Sequence, residues 1–407
     1  MQVNKKVFLI FIKFINIKII ENALLFCNKQ HKDIIMQAEK INLNLKKTID
    51  YSYDVFVSPG LLNQIPEKFE KMGLKKEKFV IITDSNVKDL YAMPLYKNLN
   101  TNGFTGNLFS FKAGEKYKTR KTKQKLENFL LEKQFGRDTY IIAVGGGVCG
   151  DIAGFLAATY MRGIPFIQVP TTILAMVDSS VGGKTGVDTK AGKNLIGAFH
   201  QPKAVIIDPE TLKTLEYAER LNGIAEMIKH ACIRSKELFE DLIKYKDEII
   251  NVNSAVLSGI IAKNVEIKAR VVEQDEKESN LRMILNYGHT TGHAIELLSN
   301  YKMGHGECVA IGMVVSCEIS VLLGLMKRDT ADTIINTISD FGLPVNVPSN
   351  VSIQDFLNAI KLDKKSRDKK AKFILINDIG DLYSENGNYG IEVDEEILIK
   401  AVNARRN

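Results

Sequence analysis

The sequence predicts an α/β fold, with a doubly wound parallel sheet in its first part and a mainly helical second part. Two observations predict the sheet: short apolar runs that each stop at Asp, Gly or Pro, and periodic polar–apolar stretches between them. A third predicts the division, since after about Thr214 strand signals thin out and long helical patterns take over. At 407 residues the chain exceeds the usual size of one core, so two domains are the expectation.

Residues 1–42 stand apart as an N-terminal extension. They carry seven Lys against three acids, and the apolar stretch from Val7 to Ile20 is broken by Lys13, Asn16 and Lys18, too short and too charged to span a bilayer. An amphipathic surface helix is one reading of this extension; a translation start at a later methionine, such as Met36, is the favoured one. The remaining chain is nearly neutral, and its diffuse lysines lack the aromatic interleaving of a nucleic-acid groove. Cys27, Cys149, Cys232, Cys308 and Cys317 are odd in number and show no C-x-x-C spacing. That argues against a disulfide framework or a thiolate zinc knuckle and fits a reducing cytoplasm. No nucleic-acid partner and no membrane partner are expected.

Buried parallel strands are expected from Phe79 to Thr83, Tyr140 to Val144, Phe166 to Val169 and Ala204 to Ile207, with a crossover helix from Thr122 to Lys133. The first domain is therefore expected over 43–217 and the second over 218–407. Helical patterns in the second run from Leu221 to Ile233, Ala255 to Glu273, Gly306 to Leu323 and Thr330 to Phe341. A cleft between the domains is where a ligand is expected.

Gly145-Gly-Gly-Val-Cys-Gly-Asp151 follows an expected strand, opens a helix and satisfies G-x-G-x-x-G literally. Glycines there let the backbone approach a pyrophosphate, whose charge the helix N-terminus favours. The acid expected about 20 residues later for a ribose is missing, and Asp84, just after the first strand, can take its place. Gly114-Glu-Lys-Tyr-Lys118 and Pro170-Thr-Thr172 are further strand-end loops. Ordinary turn chemistry explains any one of these; together they point to a nucleotide and a Rossmann-like first domain. The stretch from Met176 to Asp188 resembles a phosphate loop by its Gly182-Gly-Lys-Thr185, but Asp178 stands where that motif needs Gly, so a Walker loop is rejected. With Lys193 and Asn194 following, it still offers cations and amide donors to an anionic ligand.

Three of the six histidines, His289, His293 and His305, fall within 17 residues. The first two share a helical face, and His305 follows in a Gly-flanked segment that can fold back toward them, a geometry for metal or proton chemistry. Thr290 stands where H-E-x-x-H requires Glu, which rejects protease chemistry. Merely structural histidines are the alternative, but Gly288, Gly292, Gly304 and Gly306 suggest close approach to a ligand. Upstream, Glu226 shares a helical face with Lys229 and His230. An exposed ion pair is one reading; a carboxylate joined to two imidazoles, a common catalytic zinc set, is the other.

With these motifs in order, the chain resembles the 3-dehydroquinate synthases, members of the sugar phosphate cyclases, from about Ile41 to Lys400. The likeness rests on GGGVCGDIAGF, YMRG, QVPTTILAMVDSSVGGKTGVD, KNLIGAFHQP, GIAEMIKHA, RMILNYGHTTGHAIE and GHGECVAIGM in this order and spacing. It implies a Rossmann-like N-terminal domain that binds NAD and a helical C-terminal domain that carries Zn2+, with Co2+ as an alternative metal. By motif position the implied metal ligands are Glu226, His289 and His305, which leaves His293 for the substrate. Implied NAD contacts are Asp84, Glu115, Lys118, Gly147, Val148, Gly150, Asp151, Thr171, Thr172, Lys184, Lys193 and the turn Thr211, Leu212, Lys213 and Thr214. Implied substrate contacts are Arg162, Asp178, Lys184, Asn194, Lys229, Lys268, Arg282, Asn286 and one lysine of Asp363-Lys-Lys365.

The resemblance implies conversion of 3-deoxy-D-arabino-heptulosonate 7-phosphate to 3-dehydroquinate and phosphate. The steps are transient oxidation at C5, phosphate elimination, re-reduction, ring opening and aldol closure, with NAD unchanged at the end. Lys184, Asn194, Asn286 and His293 would hold the phosphate and Lys268 and Arg282 the carboxylate, with His293 and Glu278 as the proton-transfer groups. A homodimer is implied, with Arg162 reaching a neighbour's site. The alternatives are another sugar phosphate cyclase and a metal-dependent NAD alcohol dehydrogenase of glycerol-dehydrogenase type. The dehydrogenase needs no phosphate or carboxylate pocket, and a substrate without a carboxylate would leave Lys268 and Arg282 facing nothing anionic.

Overall fold

Residues of the central strands alternate between two apolar cores, as a parallel sheet covered on both faces requires. Val80, Ile82, Ile141, Ala143 and Phe166 belong to one core; Phe79, Ile81, Ile142, Val144, Ile167 and Val169 belong to the other. The computed structural model describes residues 18, 50–74, 78–362 and 371–406. Apart from Lys18, the expectations for residues 1–42 lie outside the described residues, as do Lys364 and Lys365. The strands are β1 (Asp54–Val57), β2 (Phe79–Asp84), β3 (Gly106–Phe111), β4 (Tyr140–Gly145), β5 (Phe166–Pro170), β6 (Lys184–Thr189), β7 (Gly192–Phe199) and β8 (Ala204–Ile207). Six of them form a sheet of order β1-β8-β5-β4-β2-β3 in which every pairing is parallel. Helices α1 (Leu61–Lys71) and α2 (Met93–Thr101) supply one core, α3 (Arg120–Glu132) and α4 (Gly147–Thr159) the other. Thr119 caps α3, its hydroxyl accepting from the Thr122 N–H at 3.2 Å.

The expected α/β class therefore holds, and the four strands and the crossover helix read from the sequence all form. The two unread sheet strands, β1 and β3, are its edges. Their residues are mostly half-buried, so they lack the continuous apolar run that marks a central strand. The stretch that resembles a phosphate loop leads into an antiparallel hairpin of β6 and β7, tight enough that a Cβ on Gly197 would lie 1.9 Å from the Thr185 carbonyl oxygen.

From Tyr217 the chain is mostly helical: α5 (Tyr217–Arg234), α6 (Lys236–Lys244), α7 (Lys246–Ile250), α8 (Ser254–Gln274), α9 (His289–Leu298), α10 (His305–Leu322), α11 (Arg328–Asp340), α12 (Ile353–Leu362) and α13 (Glu395–Asn403). Short antiparallel pairs lie between the last two. Helix α10 is long and apolar enough to cross a membrane, but 78% of its apolar window is buried inside the protein. Its Val309, Met313 and Cys317 join a core with α5, α8 and α11, while Ile311, Val315 and Ile319 join one with α9, α12 and α13. Its apolar character all round is thus that of a central core helix. Tyr51–Asn407 forms one compact unit, in which the last strand of the six-stranded sheet ends at Ile207 and the mostly helical part begins at Tyr217.

Candidate active site

Because the sheet is parallel, the loops after β2, β3, β4, β5 and β8 share one edge. That edge carries Asp84, Glu115, Lys118, Gly147, Val148, Thr171, Thr172 and the turn Pro209–Thr214. The strand order reverses between β2 and β4, where ligand crevices open in such sheets. A Cβ on Gly145 would lie 3.2 Å from Asp84 Oδ2, so the acid and the glycine loop border the same space. Asp84 Oδ1 accepts from the Asn86 and Val87 N–H groups at 2.8 and 3.2 Å, while burial raises its pKa. Helix α4 begins at Gly147, and the first N–H groups of a helix have no partner within it. A Cβ on Gly150 would lie 2.7 Å from Gln168 Oε1, so its absence lets helix and strand meet. In the last turn the Leu212 side chain is core, Lys213 pairs with Glu210, and Tyr91 Oη bonds Thr211 O at 3.0 Å and Thr214 Oγ1 at 2.6 Å.

Lys118 joins this edge to the hairpin. Its buried ammonium pairs with Asp151 Oδ2 at 2.6 Å and donates to Asn194 Oδ1 at 2.6 Å, with Glu115 at 3.9 Å. Burial alone would lower its pKa, but Asp151 and Glu115 outweigh it and hold the lysine charged. Burial raises both carboxyls. On the same strand as Asn194, Lys193 pairs with Glu296 Oε1 at 2.6 Å and lies 4.8 Å from the Tyr301 ring centre.

The glycines beside the histidines serve helix packing, a role that their local sequence does not disclose. A Cβ on Gly312 would fall 1.8 Å from the Gly288 carbonyl oxygen, one on Gly292 3.0 Å from the Cys308 oxygen, and one on Gly306 2.4 Å from Asn222 Cα. Gly304 faces the Asn222 side chain in the same way, at 2.7 Å. These glycines admit neighbouring helices, not a ligand, which corrects the expectation. Gly288 also takes φ 78° just before α9, a conformation that favours glycine.

This close packing brings His289 of α9, His305 of α10 and Glu226 of α5 together. The two Nε2 atoms lie 3.6 and 3.5 Å from Glu226 Oε1, and the three ligating atoms all fall within 4.8 Å of one another. Glu226 Oε1 is buried and has no hydrogen-bond partner, a costly arrangement unless a cation fills the gap. The other imidazole nitrogens are engaged elsewhere: His289 Nδ1 bonds the Tyr287 oxygen at 3.1 Å, and His305 Nδ1 faces Glu296 Oε2 at 3.6 Å. Assigned from these partners, neutral His289 turns its Nε2 lone pair toward Glu226, and His305 would do the same once a cation displaced its Nε2 proton.

Burial pushes His289 down to about 3, whereas at His305 Glu226 and Glu296 overcome burial and raise the pKa to about 9. Burial also opposes charge on Glu226, but Lys229, His289 and His305 hold it well below the usual carboxylate range. A carboxylate with two imidazoles is a donor set that catalytic zinc sites use, and these residues fit it. A second grouping, Asp178 with Glu226 and His230, fits less well. Lys268 already pairs with its Asp178 carboxylate. His293 is exposed and outside both groupings, its ring 5.4 Å from that of His289 and 6.3 Å from that of His305.

Next to the donor set is a cavity of about 110 Å3 lined by Asp178, Lys184, Lys229, Lys268, Glu278, Arg282, Leu285, Asn286 and His289. Lys229, Lys268 and Arg282 are buried cations, and burial lowers the pKa of Lys268 and Arg282. Lys229 pairs with Glu226, Lys268 with Asp178 and Lys184 with Glu278. Asp178 is held well below the usual carboxylate range, Lys268 and Lys229 overcoming its burial. Glu278 takes φ 60°, uncommon for a residue other than glycine, and its Oε1 accepts from Asn286 Nδ2 at 2.8 Å. It thus lines the pocket. A larger hollow of about 320 Å3, lined by Phe239, Ile243 and Ile379 among others, touches none of these groups.

Arg162 is not brought to this cavity. It is exposed, with Met161 at φ 50° and itself at φ 67°, and it makes no hydrogen bond or ion pair with the described residues. Sequence reasoning missed Glu296 and Asn222. Glu296 was findable, since it stands seven residues after His289 and three after His293 on one helical face. Asn222, whose Oδ1 accepts from the Gly306 N–H at 2.9 Å, has no local signal.

Among known proteins, the family model described as 3-dehydroquinate synthase N-terminal matches residues 108–222, and the one described as 3-dehydroquinate synthase C-terminal matches 223–366. A 3-dehydroquinate synthase of Prochlorococcus marinus (strain AS9601) is 46% identical over 342 residues, which cover 83% of this chain and 94% of the relative. Among solved structures, the 2-epi-5-epi-valiolone synthase from Streptomyces hygroscopicus subsp. jinggangensis 5008, with NAD+ and Zn2+ bound, is 26% identical. It matches with a TM-score of 0.79 over 89% of this chain and 99% of that one. A glycerol dehydrogenase from Schizosaccharomyces pombe, 16% identical, shares the fold with a TM-score of 0.63 over 89% of this chain and 91% of its own.

Proposed function

This chain belongs to the 3-dehydroquinate synthase family, and we infer from its site how its own residues serve that reaction. It is a lyase of the shikimate pathway, leading to chorismate and the aromatic amino acids, that converts 3-deoxy-D-arabino-heptulosonate 7-phosphate to 3-dehydroquinate and phosphate. When bound, NAD would supply a hydride acceptor for the C5 alcohol and Zn2+, with Co2+ as the alternative, a Lewis acid. The observation that carries the assignment of roles is the meeting of the Glu226–His289–His305 donor set with a pocket of four cationic side chains.

Glu226, His289 and His305 would hold the metal, and the orphaned Glu226 Oε1 supports that reading. Asp84, the glycine loop, Thr171, Thr172 and the Thr211 to Thr214 turn would hold the nucleotide along the sheet edge. Lys118 and Asp151, paired with each other, would brace the loop as much as touch the cofactor. Lys268 and Arg282 hold the substrate carboxylate, and Lys184, Asn194, Asn286 and His293 hold its phosphate. Burying cations is costly, and Asp178 offsets this only for Lys268, so an anionic substrate would relieve part of what Lys268 and Arg282 lose on burial. Once C5 is a ketone, the C6 proton is acidic; Glu278, which lines the pocket, and His293 would move protons as phosphate leaves C7. The glycerol-dehydrogenase reading has the fold in its favour but no use for so many cations, and a cyclase for an uncharged sugar end would leave Arg282 without an anionic partner and Lys268 with Asp178 alone.

The family resemblance points to a homodimer in which Arg162, exposed and away from its own cavity, would reach the neighbour's site. The sheet and helical parts act as two domains, 43–217 and 218–407, and the enzyme works in the cytoplasm. Phosphate release from the heptulosonate phosphate with added NAD, followed in metal-stripped and zinc-restored protein, tests the function. Release restored by zinc is expected; no release in either state contradicts it.

A further inference from the structure

Glu296 is shared between the nucleotide side and the metal side of the site. Its Oε1 takes the Lys193 ammonium at 2.6 Å, and its Oε2 lies 3.6 Å from His305 Nδ1. The residue is buried, 7% exposed, on the helix that also carries His289 and His293. Lys193 comes from β7, whose next residue, Asn194, is tied to Lys118 of the nucleotide edge at 2.6 Å. The Tyr301 ring, 4.8 Å away, bounds the same ammonium.

An imidazole that binds metal donates its other N–H to an acceptor, which fixes its tautomer and raises its basicity. His289 has a backbone carbonyl for this purpose, a fixed partner. His305 has a carboxylate whose charge Lys193 divides with it. An anionic cofactor that engages the Lys193 ammonium draws it from Glu296 and leaves more of the carboxylate charge to the His305 N–H. Metal grip and cofactor occupancy then cannot be independent.

We propose that Glu296 is a positioning residue that couples the two sites, so that NAD strengthens the hold on the metal through Lys193, Glu296 and His305. The proposal rests on His305 as metal ligand and Lys193 as cofactor contact. Zn2+ affinity of the full chain, measured by competition with a chromogenic chelator with and without saturating NAD+, reads it without reference to turnover. By linkage, Zn2+ tightens NAD+ binding by the same factor.

In the parent, NAD+ is expected to raise Zn2+ affinity by roughly 5-fold or more. Glu296→Gln is expected to weaken Zn2+ about 10- to 100-fold and to bring the NAD+ effect to about one. Lys193→Met, which removes the competing cation, should bind Zn2+ without NAD+ at least as tightly as the parent does, and NAD+ should no longer improve it. A merely structural Lys193 would predict the reverse, weaker metal binding. An unchanged NAD+ effect in Glu296→Gln, or no NAD+ effect in a parent whose zinc is lost in His289→Ala, overturns the coupling alone. Zinc binding unaffected by His289→Ala overturns the metal assignment on which it rests.

Discussion

Glu278 and Lys184 meet across the pocket at a residue whose backbone is left-handed. In sequence Glu278 ends the run from Glu273, the signature of a solvated face; at φ 60° its carboxylate instead meets Lys184 and Asn286 in the pocket. If Glu278 moves a proton, Glu278→Gln lowers kcat about 10²- to 10⁴-fold with little change in KM. Lys184→Met, by contrast, raises KM for the phosphate substrate. Steady-state phosphate release separates the two, and a KM change common to both variants would reduce Glu278 to a holder of Lys184. At this scale the histidine cluster was legible by density alone. The assignment of metal to His289 over His293 came only through the family resemblance, because Glu226 lies far away in the chain and its approach to His289 and His305 depends on where α5 meets α9 and α10.

Elements carried the legible part of the fold. Strands covered on both faces, such as β2 and β4, announce themselves as apolar runs, whereas the edge strands β1 and β3 are only half-covered and do not. The glycines flanking the histidines were visible, but their reason was not: it lies in the distance between α9 and α10, which no local pattern records. Gly288→Ala should therefore destabilise the protein by about 1–3 kcal/mol for the left-handed backbone and a comparable amount for overpacking against Met313. Chemical denaturation reads this as a lower midpoint with unchanged slope. A midpoint like that of the parent would mean that the helices can part without cost.

Across the whole molecule, the C-terminal end is fastened to the central helix by charge. Glu318 of α10, 3% exposed, receives Arg328 at 2.9 and 2.7 Å and Arg405 at 2.8 Å. Burial would raise its pKa, but the two guanidiniums outweigh burial and depress it. A depressed carboxyl stabilises the fold above its unfolded pKa of about 4.3 and loses that contribution as pH falls through the folded value. Glu318→Gln should thus cost about 1–3 kcal/mol at neutral pH, and the deficit should shrink on acidification below the ordinary carboxylate range; denaturation curves across pH check both. The same helix presents His305 at its other end, so one element braces the terminus and supplies the site. Everything the site does depends on the division of the histidine cluster between metal and substrate. Zinc content measured alongside turnover in His289→Ala and His293→Ala tests that division most directly: the first should lose metal and activity together, the second should keep its metal and lose turnover. Equal loss of metal in both would contradict it.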